Sequence, residues 1–264
     1  MKKTFFILLP AVLILVFSLF CFIFPKYTFP ILMYHEIGYG EGSFYVSPEN
    51  FNRQMEYIKK HGYKVITLDE LAERIKNNKG FKRNEVVITF DDGYKNNFEY
   101  AYPVLKELKF PATIFIVTDF VGKVPSSDKD KQFLNWEEIR QMSKEQISFG
   151  SHTKSHFYLG GVVDDKAVLE EFIGSKKAIE RETGEPVDYL CYPSGGFSQR
   201  VKELAAQAGY KGACTTNRGF VRFNRDVYEL KRIKVTNVDG VKLLSFAVKL
   251  SGYYYVFKSD KEPG

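Results

Sequence analysis

The stretch Val86-Val-Ile-Thr-Phe-Asp-Asp-Gly-Tyr94 is a run of apolar and β-branched residues that ends in two adjacent carboxylates and a glycine. Such a run, bounded by a turn signal, predicts a buried β-strand. Adjacent carboxylates at a strand end repel each other unless a cation or hydrogen bonds offset the repulsion. The stretch therefore predicts a strand that ends either in a cation site or in a plain solvated Asp-Asp-Gly turn.

Similar short apolar runs lie on both sides of this strand and alternate with stretches of helical periodicity. The predicted strands are Ile31–His35, Tyr63–Thr67, Val86–Phe90, Ala112–Val117, Ile147–Gly150, Tyr189–Tyr192, Gly212–Thr215 and Lys231–Val235. The predicted helices are Phe51–Lys60, Leu68–Lys76, Asn97–Leu108, Trp136–Met142, Lys166–Glu182 and Val201–Ala208. Alternating strands and helices favour an α/β fold with a parallel sheet, here a distorted (β/α) barrel of about seven to eight strands.

Composition restricts the class of protein. The 264 residues are 44% hydrophobic, enough for a sizeable core, which excludes a disordered chain. The net charge is +6, and three of the basic residues flank the first apolar run, which leaves only +3 on the rest. So mild a charge argues against nucleic-acid binding. Three cysteines without a CxxC pair exclude a disulfide scaffold and a zinc knuckle.

The chain begins with an apolar run of 21 residues, Thr4–Phe24. A helix of that length spans the hydrocarbon core of a bilayer. Lys2 and Lys3 precede the run and Lys26 follows it, which favours an N-terminus on the cytoplasmic side of the membrane and the rest of the chain on the outer side. We expect residues 1–26 to be a transmembrane signal anchor with an extracytoplasmic main domain. A cleaved signal peptide and a buried core helix are the alternatives.

The rest of the chain shows no repeat and no long linker, so residues 27–239 are expected to form one domain. Residues 240–264 form an aromatic-rich extension that we expect to pack on that domain; a glycan platform and a membrane-surface contact are alternatives.

Cys191 and Cys214 fall on neighbouring predicted strands, where they either pair or stay as buried thiols. Thr67-Leu-Asp-Glu70 predicts a capping box, and Gly122–Lys131 a surface loop.

A second polar segment, Ser148-Phe-Gly-Ser-His-Thr-Lys-Ser-His156, also follows a predicted strand. His152 and His156 are four residues apart, which predicts that both imidazoles share one face of a helical turn. Two imidazoles and one carboxylate form a set of ligands suited to Zn²⁺ or a related divalent ion. Two solvated surface histidines are the alternative.

Taken together, Thr89-Phe-Asp-Asp-Gly93 and Ser151-His-Thr-Lys-Ser-His156 resemble the first two motifs of the polysaccharide deacetylases, the NodB-homology domain of carbohydrate esterase family 4. In that family the first aspartate is the general base, and the second binds a divalent metal with the two histidines. The resemblance, which covers most of the chain, implies a base at Asp91 and metal ligands at Asp92, His152 and His156.

Two further segments are similar to parts of the family's substrate groove. Leu190-Cys-Tyr-Pro-Ser-Gly195 resembles the third motif, which implies groove residues at Tyr192, Pro193, Ser194 and Gly195, with the Ser194 N–H as an oxyanion donor. A plain turn that follows a strand is the alternative. Many members have arginine where this chain has Cys191, so the group that orients the base is not identified. Leu134-Asn-Trp-Glu137 resembles a tryptophan-bearing segment and implies that Trp136 lines the groove; a core aromatic is the alternative.

The family's usual C-terminal histidine is missing, because that region reads Glu229-Leu-Lys-Arg-Ile-Lys234. Instead, Ile31-Leu-Met-Tyr-His35 ends the first predicted strand, as in the circularly permuted branch that includes the poly-β-1,6-N-acetylglucosamine deacetylases. In that branch this histidine is the proposed general acid. The resemblance therefore implies that His35 is the acid, with a structural histidine as the alternative.

These resemblances imply a metal-dependent hydrolase that removes N-acetyl groups from a cell-surface polymer of N-acetylhexosamine. The expected cofactor is a divalent ion, Zn²⁺ first, and the expected partners are the polysaccharide and, through residues 1–26, the membrane. An O-deacetylase of the acetylxylan esterase type would use the same site. A glycan-binding protein without activity is the alternative from another class, and a cytoplasmic metabolic enzyme is a third. The polymer, its linkage and the oligomeric state stay open.

Overall fold

Parallel strands form the centre of the fold in a computed structural model that describes residues 12, 17–19, 27–40, 42–124, 131–161, 164–217 and 225–256. Within these residues the strands are β1 (Ile31–Tyr34), β2 (Glu36–Ile37), β3 (Tyr45–Val46), β4 (Lys64–Val65), β5 (Glu85–Phe90), β6 (Ala112–Ile116), β7 (Ile147–Ser151), β8 (Tyr189–Cys191), β9 (Gly212–Thr215), β10 (Leu230–Lys231) and β11 (Ile233–Lys234). All eight predicted strands are present. The sequence did not predict the short parallel pair β2–β3.

The order of the strands brings the two ends of the sheet together. The sheet runs β10-β9-β8-β7-β6-β5-β1-β11 with parallel neighbours, and β4 adds to β5. Leu230 pairs with Cys214 of β9, whereas Ile233, three residues later, pairs with Leu32 of β1. Only Arg232 separates β10 from β11. One interrupted strand therefore pairs with β9 through its first half and with β1 through its second half. This arrangement is a nearly closed eight-stranded barrel, and it confirms the predicted fold class.

Helices pack around this barrel. They are α1 (Pro48–Lys60), α2 (Leu68–Lys76), α3 (Tyr102–Leu108), α4 (Trp136–Ser143), α5 (Asp165–Thr183), α6 (Gln199–Gln207), α7 (Asn237–Val241) and α8 (Leu243–Leu250). A π-helix, Asn97–Ala101, precedes α3, and two short 3₁₀ turns cover Thr118–Phe120 and Pro193–Gly195. The six predicted helices correspond to six of these elements, the third of them beginning as the π-helix.

The capping box predicted at the start of α2 is only half formed. The Thr67 side chain accepts a hydrogen bond from the backbone N–H of Glu70 at 3.0 Å, as predicted. The Glu70 carboxylate, however, pairs with Arg74 and Lys64, because two basic groups lie within its reach. A complete capping box is found instead at the start of α4, between Asn135 and Glu138.

Strand β5 shows how the fold directs its side chains. Ile88 and Phe90 belong to the apolar cluster between sheet and helices, whereas Val87 belongs to a second cluster inside the barrel. Side chains alternate along a strand, so Thr89 and Asp91 face the same side as Val87. The barrel interior therefore receives a carboxylate at the C-terminal end of β5.

The two ends of the chain differ in how much is described. Among the described residues, no helix has both the length and the apolar character needed to cross a bilayer. The predicted anchor, Thr4–Phe24, lies mostly outside those residues and stays a prediction. At the other end, α7 and α8 pack together and against α1. The Tyr255 hydroxyl donates a hydrogen bond to the Arg232 carbonyl oxygen at 2.7 Å. This bond holds the C-terminal segment beside β10 and β11.

Candidate active site

Three predicted metal ligands converge at the C-terminal ends of β5 and β7. Asp92 Oδ1 lies 3.4 Å from His152 Nε2 and 3.5 Å from His156 Nε2. Donor atoms from the three residues all lie within 4.8 Å of one another. Burial alone would raise the pKa of Asp92, but the hydrogen bond from His152 and the charges of the imidazoles hold it below its ordinary value. One carboxylate oxygen and two imidazole nitrogens at this spacing fit a first-row divalent ion such as Zn²⁺.

The two histidines do not converge through a helical turn, so that part of the prediction is wrong. His152 follows β7, and the residues up to His156 form a loop with left-handed backbone at Thr153 and His156. Glu171 of α5 fixes this loop, because its carboxylate accepts the backbone N–H groups of Lys154 and Ser155 at 2.9 and 2.8 Å. The loop places the imidazole rings 4.8 Å apart at 83°.

A hydrogen bond of the His152 ring determines which of its two nitrogens is free to bind a metal ion. His152 Nδ1 lies 2.7 Å from the carbonyl oxygen of Cys191 and therefore carries the proton in the neutral ring. This leaves Nε2, which faces Asp92, as the free nitrogen. Metal-binding histidines commonly use such a partner for the second nitrogen. The contact supports a ligand role for His152.

A tight turn presents Asp92 to the two imidazoles. Asp92 and Gly93 both have left-handed backbone, with φ of 68° and 74°. A side chain at Gly93 would come within 2.7 Å of Ile116 Cγ2, so the Asp-Asp-Gly turn needs glycine at this position. Asp92, His156 and Ser194 line the same cavity, and all three are left-handed. Backbone in this region is concentrated at functional sites in folded proteins.

A second group with metal-ligand spacing, formed by Asp91, His152 and Cys191, is a poorer cation site. Its carboxylate already binds Arg232, and the guanidinium Nη2 also lies 3.0 Å from Cys191 Sγ. A metal ion placed there would meet a fixed positive charge. The site at Asp92 has no such cation beside it among the described residues.

Asp91 is held by a buried arginine to which the sequence analysis gave no role. Arg232 Nη1 donates to Oδ1 at 2.7 Å and Nη2 to Oδ2 at 2.6 Å, a bidentate pair with both side chains buried. The guanidinium also donates to Thr89 Oγ1 at 3.1 Å. Burial alone would raise the pKa of Asp91, but the charge and hydrogen bonds of Arg232 hold it below its ordinary value. Asp91 is therefore ionised at neutral pH.

Arg232 supplies, from another strand, the guanidinium that position 191 lacks. It stands where the last strand changes partner from β9 to β1, and its side chain crosses the barrel interior to Asp91. Cys191 Sγ lies only 3.8 Å from Asp91 Oδ2, so an arginine at position 191 would reach the same carboxylate. Cys191 and Cys214 are directly paired in register on β8 and β9, and both are free buried thiols.

His35 follows β1 directly and faces the same carboxylate. Its Nε2 lies 3.9 Å from Asp91 Oδ2, and the imidazole side chain is 12% exposed. Burial lowers the pKa of His35, although Asp91 and Asp92 oppose that effect. The Phe44 ring stands over it, with the ring centres 4.6 Å apart. The imidazole is therefore neutral at pH 7 and lies next to the Asp91 carboxylate.

The predicted groove residues are divided between cavity and core. Ser194 lines the cavity, with φ of 55° and ψ of 9°. Tyr192 is fully buried, and its hydroxyl donates to the Tyr228 carbonyl. Pro193 and Gly195 are buried too. Trp136 begins α4 and packs against the main apolar cluster, and it is not among the described residues that line the cavity.

The cavity around these residues has a volume of about 590 Å³. It is lined at one end by His35, Asp91, Asp92, His152, His156, Ser194 and Arg232. The remaining wall is formed by Met33, Glu36, Phe44, Tyr45, Tyr94, Lys131, Thr216, Lys234 and Tyr255. The sequence analysis gave none of this second set a role in the site, because they come from separate segments with no common motif.

Comparison with known proteins gives consistent relatives. Residues 78–213, about half of the chain, match the family model described as polysaccharide deacetylase. The chain is 32% identical over 207 residues to the "Putative polysaccharide deacetylase YxkH" of Bacillus subtilis (strain 168), covering 78% of this chain and 71% of that one. It is 27% identical over 200 residues to the poly-beta-1,6-N-acetyl-D-glucosamine N-deacetylase of Staphylococcus aureus (strain MRSA252), covering 73% and 68%.

Among solved structures, the chain is similar to the Streptococcus pyogenes deacetylase PplD in complex with acetate. The TM-score is 0.72 at 26% sequence identity, and the match covers 82% of this chain and 96% of that one. The likeness therefore extends over nearly the whole of the PplD chain, including the barrel.

Proposed function

Because the chain belongs to the polysaccharide deacetylase family, whose members are hydrolases, we propose that it removes N-acetyl groups from a cell-surface polymer of N-acetylhexosamine. The observation that carries this proposal is the pairing of two sites at one cavity. Asp92, His152 and His156 provide three converging ligand atoms, and Asp91, the next residue in the chain, is a separate carboxylate kept ionised by Arg232.

A divalent ion held by Asp92, His152 and His156 would act as a Lewis acid that polarises the acetamide carbonyl and lowers the pKa of a water molecule. The chain's own residues handle the protons. Asp91 accepts a proton from the water that attacks the carbonyl carbon, because its carboxylate is ionised and faces the cavity. The backbone N–H of Ser194, on the cavity wall, is the proposed donor to the oxyanion.

His35 is the proposed acid for the leaving nitrogen. Its pKa is lowered by burial, so the neutral ring must gain a proton before it can donate one. Asp91 lies 3.9 Å away and has just accepted a proton at that point in the reaction. His35 then donates this proton to the nitrogen as the C–N bond breaks, which releases acetate and a free amine.

The choice between N- and O-deacetylation follows from this acid. An alkoxide leaves more readily than an amine, so an ester substrate needs less help from His35. The Staphylococcus aureus relative is named for N-deacetylation of poly-β-1,6-N-acetyl-D-glucosamine, which favours an amide substrate here too. A glycan-binding protein without activity would not need the ligand triad and the ionised base together.

The direct test is a panel of acetylated glycans incubated with the full chain and a divalent ion. We expect acetate and primary amine to appear in equal amounts from poly-β-1,6-N-acetylglucosamine. Acetate without amine, released from acetylated xylan only, would identify an O-deacetylase. Binding of glycans with release of neither product would identify the non-catalytic alternative.

The His35→Ala variant should lose about 10²–10⁴ in kcat on an acetamide substrate, the usual contribution of a general acid. The loss should be much smaller on an activated acetate ester, whose leaving group needs little protonation. Metal content should be unchanged, because His35 is not one of the three ligands. His61→Ala, at the exposed end of α1, is the matched control and should keep full activity. Equal losses on amide and ester would contradict an acid role.

A further inference from the structure

The wall of the cavity beside His35 carries a polar pair that the proposed chemistry does not use. Glu36 directly follows His35 and forms β2, and Lys131 reaches the same wall from a distant part of the chain. Their side chains form an ion pair with Lys131 Nζ 3.4 Å from Glu36 Oε1. Charged residues at this position need a reason, because desolvating a carboxylate is costly.

Glu36 is almost completely buried, with 3% of its surface exposed. Asn96 Nδ2 lies 3.5 Å from Oε2, whereas Oε1 has no hydrogen-bond partner among the described residues. A charge-assisted N–H···O bond is normally about 2.7–2.9 Å long. At 3.4 Å the contact between Lys131 and Glu36 is therefore an ion pair without a close hydrogen bond. Tyr45 also hydrogen-bonds to this carboxylate, so the acceptor position left unfilled is the one on Oε1, beside Lys131.

Lys131 is the more exposed partner of this ion pair. About a third of its side chain is exposed (32%), and Nζ lies 5.5 Å from the centre of the Tyr94 ring, which also lines the cavity. An ammonium group only donates hydrogen bonds and a carboxylate only accepts them, whereas a hydroxyl group does both. A hydroxyl that enters between the two groups can therefore bond to both after a small movement of the flexible lysine.

We propose that Glu36 and Lys131 form a subsite for the sugar unit next to the one that loses its acetyl group, with sugar hydroxyls bridging the carboxylate and the ammonium. This inference rests on the proposed function, since it assigns the neighbouring unit of the same polymer. Neighbouring hydroxyls on a pyranose ring supply the paired donors and acceptors that this pair requires. A structural ion pair that only holds β2 in place is the competing explanation.

The test compares a long substrate with a short one. Glu36→Gln and Lys131→Gln are assayed on a tetramer of β-1,6-linked N-acetylglucosamine and on a small acetate ester that cannot reach a second sugar position. We expect kcat/KM on the tetramer to fall about tenfold to a hundredfold, mainly through KM, as for loss of a charged hydrogen bond. The loss on the ester should be much smaller. Glu145→Gln removes an exposed lysine pair (2.7 Å, to Lys106) at the opposite end of the barrel and serves as the control.

Equal losses on both substrates would overturn the subsite in favour of a structural role, and so would unchanged kinetics on the tetramer. Failure of the wild type to deacetylate the tetramer would contradict the proposed function instead. Calorimetric titration with the tetramer keeps the two results apart. The subsite requires that Glu36→Gln bind the tetramer more weakly than the wild type does, whether or not turnover occurs, and equal or absent binding would overturn it.

Discussion

The Arg232→Met variant should lose most of its deacetylase activity and become less stable. The substitution leaves the Asp91 carboxylate buried without its bidentate partner. Breaking a buried ion pair from one side costs about 3–5 kcal/mol of the free energy of unfolding. With Arg232 gone, burial raises the pKa of Asp91, so a larger fraction of this proposed base is protonated at neutral pH.

The sign of the pH effect follows from that change. In the wild type the pKa of Asp91 is held below its ordinary value, so the carboxylate is ionised through the neutral range. In Arg232→Met the acid limb of the kcat/KM profile should move to higher pH, because the base must first lose a proton. A purely structural role for Arg232 would lower the activity without moving the limb.

A second substitution makes this prediction sharper. Cys191 Sγ lies 3.0 Å from Arg232 Nη2 and 3.8 Å from Asp91 Oδ2, so a guanidinium at position 191 can replace the missing one. The double variant Arg232→Met, Cys191→Arg should be at least tenfold more active than Arg232→Met alone. The acid limb of its kcat/KM profile should move back toward lower pH. Arg74→Met breaks a partly buried pair, with Glu85 at 2.5 Å, away from the cavity, and is the control. It should lower stability and leave kcat nearly unchanged.

The Asp91→Asn variant should lose about 10²–10⁴ in kcat while it keeps its metal, since an amide cannot accept the proton. Asp92→Asn, one residue later, should fail differently, by losing affinity for the divalent ion that Asp92, His152 and His156 are proposed to share. Metal content by elemental analysis and kcat measured at saturating metal separate the two effects. If both variants lose metal equally, or both keep it, the division of roles between the two carboxylates is wrong.

The barrel could be predicted because its strands are short continuous apolar runs with glycine or polar residues at their ends. Such runs depend on local sequence, and strand ends in a parallel barrel share one edge. Asp92, His152 and His156 therefore came together as the motifs suggested. The loop that joins the two histidines was not predictable in the same way, since its shape depends on Glu171 from α5.

Arg232 was missed for a physical reason. It pairs with a residue 141 positions away, and that pairing depends on how β10 and β11 divide between two neighbours. The alternation of the strand accounts for its direction. With a period of two, Leu230, Arg232 and Lys234 share a face, and the structure places Leu230 in the interior cluster, so the arginine faces the barrel interior too. Trp136 packs against the main apolar cluster; that it lines the substrate groove stays a prediction.

The measurement that tests the central claim most directly is acetate release by metal-depleted protein during titration with Zn²⁺. The substrate is poly-β-1,6-N-acetylglucosamine, and primary amine is measured in the same samples. We predict that activity is absent without metal, rises with added Zn²⁺ until one ion is bound per chain, and stays absent in Asp91→Asn at the same metal content. Full activity in the metal-depleted protein, or equal activity in Asp91→Asn, would contradict the account.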